Sequence, residues 1–76
     1  MTLTEYAIAG YNLRMSEQPP DRSSLNSMAF IAGITCRRNG IEVFEAKKGR
    51  GYSITINKQY KVKNADNETT AYLERI

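Results

Sequence analysis

The sequence predicts an α+β domain in which N-terminal helices are followed by a basic antiparallel β-hairpin or a three-stranded meander. Two patterns carry that expectation. Apolar residues recur at helical intervals from Leu3 to Met15, and beyond residue 40 the spacing changes to the alternation of strands with one buried face. Ile41 and Val43 form one alternating run, and Tyr52, Ile54 and Ile56 form the other. Between them lies Lys47-Lys48-Gly49-Arg50-Gly51, where glycines let the chain reverse while three cations crowd the tip.

At 76 residues the chain is a single domain, 1–76, near the size at which one core is only marginally sufficient. A hydrophobic content of 41% is too high for a wholly disordered chain, so folding is expected. The single cysteine, Cys36, cannot form an internal disulfide, which favours a reducing cytoplasm. No apolar run approaches the ~18 residues of a membrane-spanning helix, and the start MTLTEYAIAG lacks the basic end of a secretory signal. The expectation is a cytoplasmic protein with no membrane partner. Without a secretory route, Asn67-Glu68-Thr69 is a chance match to the glycosylation sequon.

The net charge of +3 is unevenly distributed. Residues 37–63 carry eight cations against Glu42 and Glu45, a local charge of +6 that leaves −3 for the remainder. Such polarity suits a polyanion, although lysines also gather on exposed hairpins to keep sheet edges soluble.

Taken in order, Thr2-Leu3-Thr4-Glu5 has the spacing of a capping box and predicts a helix from Leu3 to about Met15. Gly10 costs that helix up to ~1 kcal/mol relative to alanine, so either something packs close there or the helix is weak. Tyr6, Tyr11 and Met15 are expected in the core. Ser16 to Asp21, with Pro19 and Pro20, ends the helix and forms a stiff connector.

Ser23 or Ser24 can cap a second helix lined by Leu25, Met28, Ala29 and Ala32. From Phe30 to Cys36, however, nearly every residue is apolar, and Gly33, Ile34, Thr35 and Cys36 are poor helix formers. Residues 24–38 therefore read either as helix, with Gly40 as its C-cap, or as a strand from Phe30 that turns at Asn39-Gly40 into Ile41–Lys47. Further on, Asn57-Lys58 permits a turn and Gln59–Lys63 reads as a short edge strand whose lysines discourage edge pairing. Asn64 to Asn67 reads as a polar loop. Glu68 to Ile76 reads either as a final helical turn or two, with Ala71, Tyr72 and Ile76 packing back, or as a strand.

The chemistry-bearing residues are few. There is no histidine, which removes the commonest general base and transition-metal ligand. The chain has no zinc or calcium spacing, and its glycines match neither GxGxxG nor GxxxxGK[ST]. Cys36 has Arg37 and Arg38 beside it but no imidazole to relay protons, so a small buried thiol is the expected role. These features argue against an enzyme and imply no cofactor and no metal.

Arg37, followed by Gly40-Ile41-Glu42-Val43-Phe44 and then Gly49-Arg50-Gly51-Tyr52-Ser53-Ile54, resembles the end of the recognition helix and the wing of winged helix-turn-helix domains. The similarity is to the N-terminal domain of biotin-operon repressors, and it covers about a quarter of the chain. It implies a small winged-helix-like domain that binds DNA, with Lys47, Lys48 and Arg50 at the wing tip and Arg37 and Arg38 closing the recognition helix. The helix itself would place Phe30, Ile31 and Ile34 where base-reading polar residues are expected. The expected nucleic-acid-binding residues are thus Arg37, Arg38, Lys47, Lys48, Arg50 and Lys58.

The functional expectation is a small DNA-binding protein, a transcriptional regulator or accessory factor, that contacts the backbone through its basic wing. An alternative is a small phage-type modulator or inhibitor that docks on an acidic surface of a host protein. A third reading places single-stranded nucleic acid on the sheet, with Phe44, Tyr52 or Tyr60 as stacking platforms. Monomer and homodimer are both compatible with the sequence.

Overall fold

The structure, a computed structural model, describes residues 1–19, 24–64 and 71–76. It is α+β: helices α1 (Leu3–Tyr11) and α2 (Leu25–Arg38) precede an antiparallel sheet of β1 (Ala46–Lys48), β2 (Ser53–Ile56), β3 (Tyr60–Asn64) and β4 (Ala71–Arg75). The four strands form a meander in the order β1-β2-β3-β4. The hairpin of β1 and β2 is extended by β3 and β4, and β3 is an internal strand rather than an edge. The three-stranded meander that a first strand from Phe30 would have given does not form, because that stretch is in α2.

Helix α1 starts as its capping box dictates. The Thr2 hydroxyl accepts the Glu5 amide at 3.1 Å, and the Glu5 carboxylate accepts the Thr2 amide at 2.9 Å. The Thr2 backbone amide, and then its hydroxyl, hold the Glu5 carboxyl below the usual carboxylate range. The helix stops at Tyr11, short of the expected Met15, because Leu13 takes a left-handed conformation (φ 57°). Leu13 N–H then bonds the Gly10 carbonyl and Arg14 N–H bonds that of Ala9, a Schellman closure with leucine where glycine is usual. Met15 follows in a 3₁₀ turn, Met15–Glu17, and is exposed rather than in the core. Tyr6 and Tyr11 do pack against the core. Of the connector, Pro20 and Asp21 lie outside the described residues.

Residues 25–38 are helical, and tertiary contact decides it. Ser24 caps the N-terminus by accepting the Ser27 amide at 3.2 Å, while Ser23 lies outside the described residues. Thr35 is accommodated by donating its hydroxyl to the Ile31 carbonyl. Asn39-Gly40 is not a hairpin turn. Gly40 (φ 70°) allows the Ile41 amide to reach the Cys36 carbonyl at 2.9 Å, and the Asn39 side chain donates to the Thr35 carbonyl at 2.8 Å.

Gly33, the residue that argued most against a helix, sits where α1 and α2 cross. A Cβ on Gly33 would lie 1.9 Å from the Ala7 carbonyl oxygen, and one on Gly10 would lie 2.0 Å from that of Phe30. Gly10 is thus explained by close packing. Helix α2 is buried on two sides, against α1 and against the sheet, which accounts for the nearly continuous apolar run. Met28, Ala29, Ala32 and Cys36 join Ala7, Val43, Ala46, Ile54, Ile56 and Val62 in one core. Full burial of Met28, Ile54, Ile56 or Val62 contributes roughly 1.5–3 kcal/mol for each side chain.

The expected strand from Ile41 to Lys47 shortens to Ala46–Lys48, and residues 41–45 run outside the sheet. Thr4 of α1 closes the edge of β1 by accepting the Ala46 amide at 3.0 Å and donating to the Ala46 carbonyl at 3.1 Å, much as a neighbouring strand would. Residues 71–75 of the C-terminal stretch form a strand, whereas 65–70, including most of the expected polar loop and the sequon, lie outside the described residues. Tyr72 and Ile76 do not pack back and are exposed.

Replacing Gly33 by alanine is expected to destabilise the fold by about 3 kcal/mol, the upper range for overpacking, because its neighbours are backbone atoms that cannot rotate aside. That is a large share of the roughly 4–11 kcal/mol usual for a chain of this size. Urea denaturation of Gly33→Ala against the parent measures it. A change below about 0.5 kcal/mol would refute the tight crossing.

Candidate nucleic-acid interface

The six predicted cations do not form a single cluster. Lys47 and Lys48 lie on edge strand β1, with Arg50 in the loop that follows, and all three are exposed. The Tyr52 hydroxyl donates to the Ser24 carbonyl at 2.8 Å, which seats this loop beside the N-terminus of α2. Arg37 and Arg38 lie at the other end of α2, about 21 Å away at 1.5 Å per residue. Lys58 occupies the β2–β3 turn, at the end of the hairpin opposite Arg50. The structure therefore places Lys47, Lys48 and Arg50 on one hairpin, with Lys47 on the helix-free face and Lys48 opposite Ile54 on the other, and it separates them from Arg37, Arg38 and Lys58.

Arg37 has a structural engagement of its own. Its guanidinium lies 5.2 Å from the Tyr11 ring centre and donates to the Tyr11 carbonyl at 3.5 Å, tying the C-terminal ends of the two helices together. Arg38 is exposed. Before Arg37 every residue of α2 is buried or partly buried, so the helix has no exposed polar face along its length.

The helices cover one side of the sheet only. Ala46, Ile54, Ile56 and Val62 point into the core, and strand alternation turns their neighbours to the opposite, helix-free face. Across that face Lys47 pairs with Thr55, Thr55 with Lys61, and Lys61 with Glu74. A second row runs from Ser53 to Lys63 to Tyr72. Lys63 lies 3.0 Å from Glu74 and Lys47 lies 3.7 Å from Glu45, both solvated pairs of modest energy. Lys61, Lys63 and Tyr72 were not among the predicted site residues. The alternation of Tyr60 to Lys63 predicts an edge strand protected by its lysines, whereas β3 is paired on both sides, so Lys61 and Lys63 guard no edge.

Asn57 organises the far end of the hairpin. Asn57 and Lys58 both have positive φ (56° and 59°), and the Gln59 amide closes the turn on the Ile56 carbonyl at 3.0 Å. The Asn57 side chain accepts the amides of Phe44 (2.7 Å) and Glu45 (3.0 Å) and donates to the Glu42 carbonyl (2.7 Å). Its own amide donates to the Glu45 carbonyl at 2.9 Å. The clamp fixes residues 42–45, and Phe44 projects from it 69% exposed.

Cys36 is fully buried, and burial pushes its thiol up to about 11, so it is protonated at neutral pH and shielded from solvent. Among the described residues no group of three or more His, Cys, Asp or Glu side chains is placed to hold a metal ion, and no helix is long and apolar enough to cross a membrane.

Asn57→Ala is expected to cost roughly 2–4 kcal/mol, since three hydrogen bonds to the 42–45 backbone are lost in a left-handed position. Asn57→Gly should cost about 1 kcal/mol less, because glycine keeps the positive φ; equal losses in chemical denaturation would contradict the strain component. The Cys36 shift has a definite sign. The folded state holds its proton above the unfolded pKa, so this contribution is complete below about pH 8.5 and is lost as pH rises toward 11. Between pH 9 and 11 the parent should lose stability more steeply than Cys36→Ala, and parallel curves would show the thiol to be solvated. No protein-family model matches the chain, and neither does any curated protein or solved structure, so its function is inferred from these residues alone.

Proposed function

We propose that the protein binds DNA through phosphate contacts made by its basic hairpin, with Lys47, Lys48 and Arg50 as the contacting residues. The observation that carries this reading is the burial of α2 up to Arg37 together with the exposure of these three cations on one hairpin. A helix enclosed on two sides, with no exposed side chain before Arg37, is poorly placed to read a major groove, so binding falls to the hairpin, as in the wing of the domains that the sequence resembles. Backbone contacts position a protein on DNA without reading bases. The activity that fits is that of an accessory factor or regulator with weak sequence preference.

Each neutralised phosphate releases counterions, so affinity should fall steeply with salt. In titrations of labelled random-sequence DNA at several salt concentrations, the triple variant Lys47→Ala/Lys48→Ala/Arg50→Ala is expected to bind more weakly. Its log–log salt slope should be shallower by about 2–3 on a duplex. Unchanged affinity and slope in that variant would refute the role of the hairpin. A second reading is favoured by Phe44, an exposed aromatic on a rigid backbone of the kind that anchors protein interfaces. A stoichiometric protein partner retained after nuclease treatment, and lost in Phe44→Ala, would put that reading first.

A further inference from the structure

We infer that the helix-free face of the sheet is a binding platform for an unpaired nucleotide strand, with Tyr72 stacking on a base and Lys61 and Lys63 meeting the phosphates beside it. The inference rests on the DNA-binding reading and names the form of nucleic acid that this surface suits.

The β1–β2 loop supplies the first observation. The Ser53 hydroxyl donates to the Arg50 carbonyl at 2.7 Å, which folds the loop backbone over the outer face and leaves Ser53 buried there. Arg50 is thereby brought to one end of the row that continues through Lys63 to Tyr72. Adjacent strands are about 4.8 Å apart, so this row sets Ser53, with the Arg50 backbone folded over it, then Lys63, then the Tyr72 ring side by side across the sheet. Lys61 lies two residues from Lys63 on β3, about 7 Å along the strand on the same face.

Tyr72 is the aromatic that this face offers. It is 54% exposed, on the outward side of β4 and directly across from Lys63. The other aromatics considered from the sequence are placed differently. Tyr60 packs against the core, Tyr52 hydrogen-bonds Ser24 on the helix side, and Phe44 stands outside the sheet. A ring on edge strand β4, with Lys63 directly across and Lys61 diagonal to it, favours bases whose faces are free. In a duplex those faces are already stacked on neighbouring base pairs and are closed to an exposed side-chain ring. Glu74 pairs with Lys63 and lowers the net positive charge of the face, which makes stacking the distinguishing interaction and phosphate attraction the general one.

The test is anisotropy titration of the full chain with labelled oligothymidylate, oligouridylate and a random-sequence duplex of equal length at one salt concentration. Single strands are expected to bind more tightly than the duplex. Tyr72→Ala should weaken single-strand binding about 5- to 100-fold while leaving duplex binding unchanged. Tyr72→Phe should stay near the parent, and Phe44→Ala, an exposed aromatic away from this face, should have no effect. The oligothymidylate and oligouridylate arms show whether the deoxyribose or ribose strand is preferred, and tighter binding of either over the duplex supports the platform. Equal affinity for duplex and single strands, with Tyr72→Ala silent, would overturn the inference and leave the hairpin reading standing. Binding to none of the three would overturn both.

Discussion

The crossing of α1 and α2 is the constraint on which the rest of the structure depends. Gly10 and Gly33 leave so little space that a methyl group at either would collide with the backbone of the other helix. Once the helices meet at this distance, α1 lies low enough for Thr4 to reach the edge of β1 and bond both backbone groups of Ala46. Helix α2 is brought to rest with its N-terminus under Tyr52. The small residues Ala7, Ala29 and Ala32 fill the space near the crossing, so the bulk of the core comes from Met28, Ile54, Ile56 and Val62. A chain of this size has few such side chains, and backbone proximity between helices compensates by adding dispersion contacts without large groups.

The same constraint determines which surfaces remain for interaction. A helix packed against a neighbour on one side and a sheet on the other is committed to the core, and the first exposed side chains of α2 are at its end. Arg37 is drawn into holding the helix ends together through Tyr11. The surfaces left open beside α2 are those of the sheet and its turns. One is the cationic hairpin at β1, another is the outer face of β3 and β4 beyond the loop that covers Ser53, and a third is the segment that Asn57 holds in place with Phe44 outward. Each is built on hydrogen-bonded backbone, which keeps the cost of ordering it on binding small.

Much of the local structure was legible in the sequence. The Thr2 to Glu5 capping box, the Asn57-Lys58 turn and the inward set Ile54, Ile56 and Val62 depend on interactions within a few residues, and they form as the residue types require. The site was legible only in part. The charge pattern singled out Lys47, Lys48 and Arg50, which the fold places on one hairpin, and Arg37 and Arg38, which it places at the end of α2. Tyr72 was missed because its strand had no periodic signal strong enough to distinguish it from a helical turn.

By itself the sequence determined the class, with helices before strands, and the polarity that gathers cations between residues 37 and 63. Both follow from periodicity and composition, which act locally and add along the chain. The state of residues 25–38 was decided by the tertiary structure alone. Their intrinsic preferences conflict, and only the facing backbone of α1 makes Gly33 an advantage rather than a weakness. The internal position of β3 was decided in the same way. A strand is an edge until a partner pairs with it, and β4 comes from a stretch whose own residues do not specify an extended form; pairing with β3 supplies the hydrogen bonds that hold it.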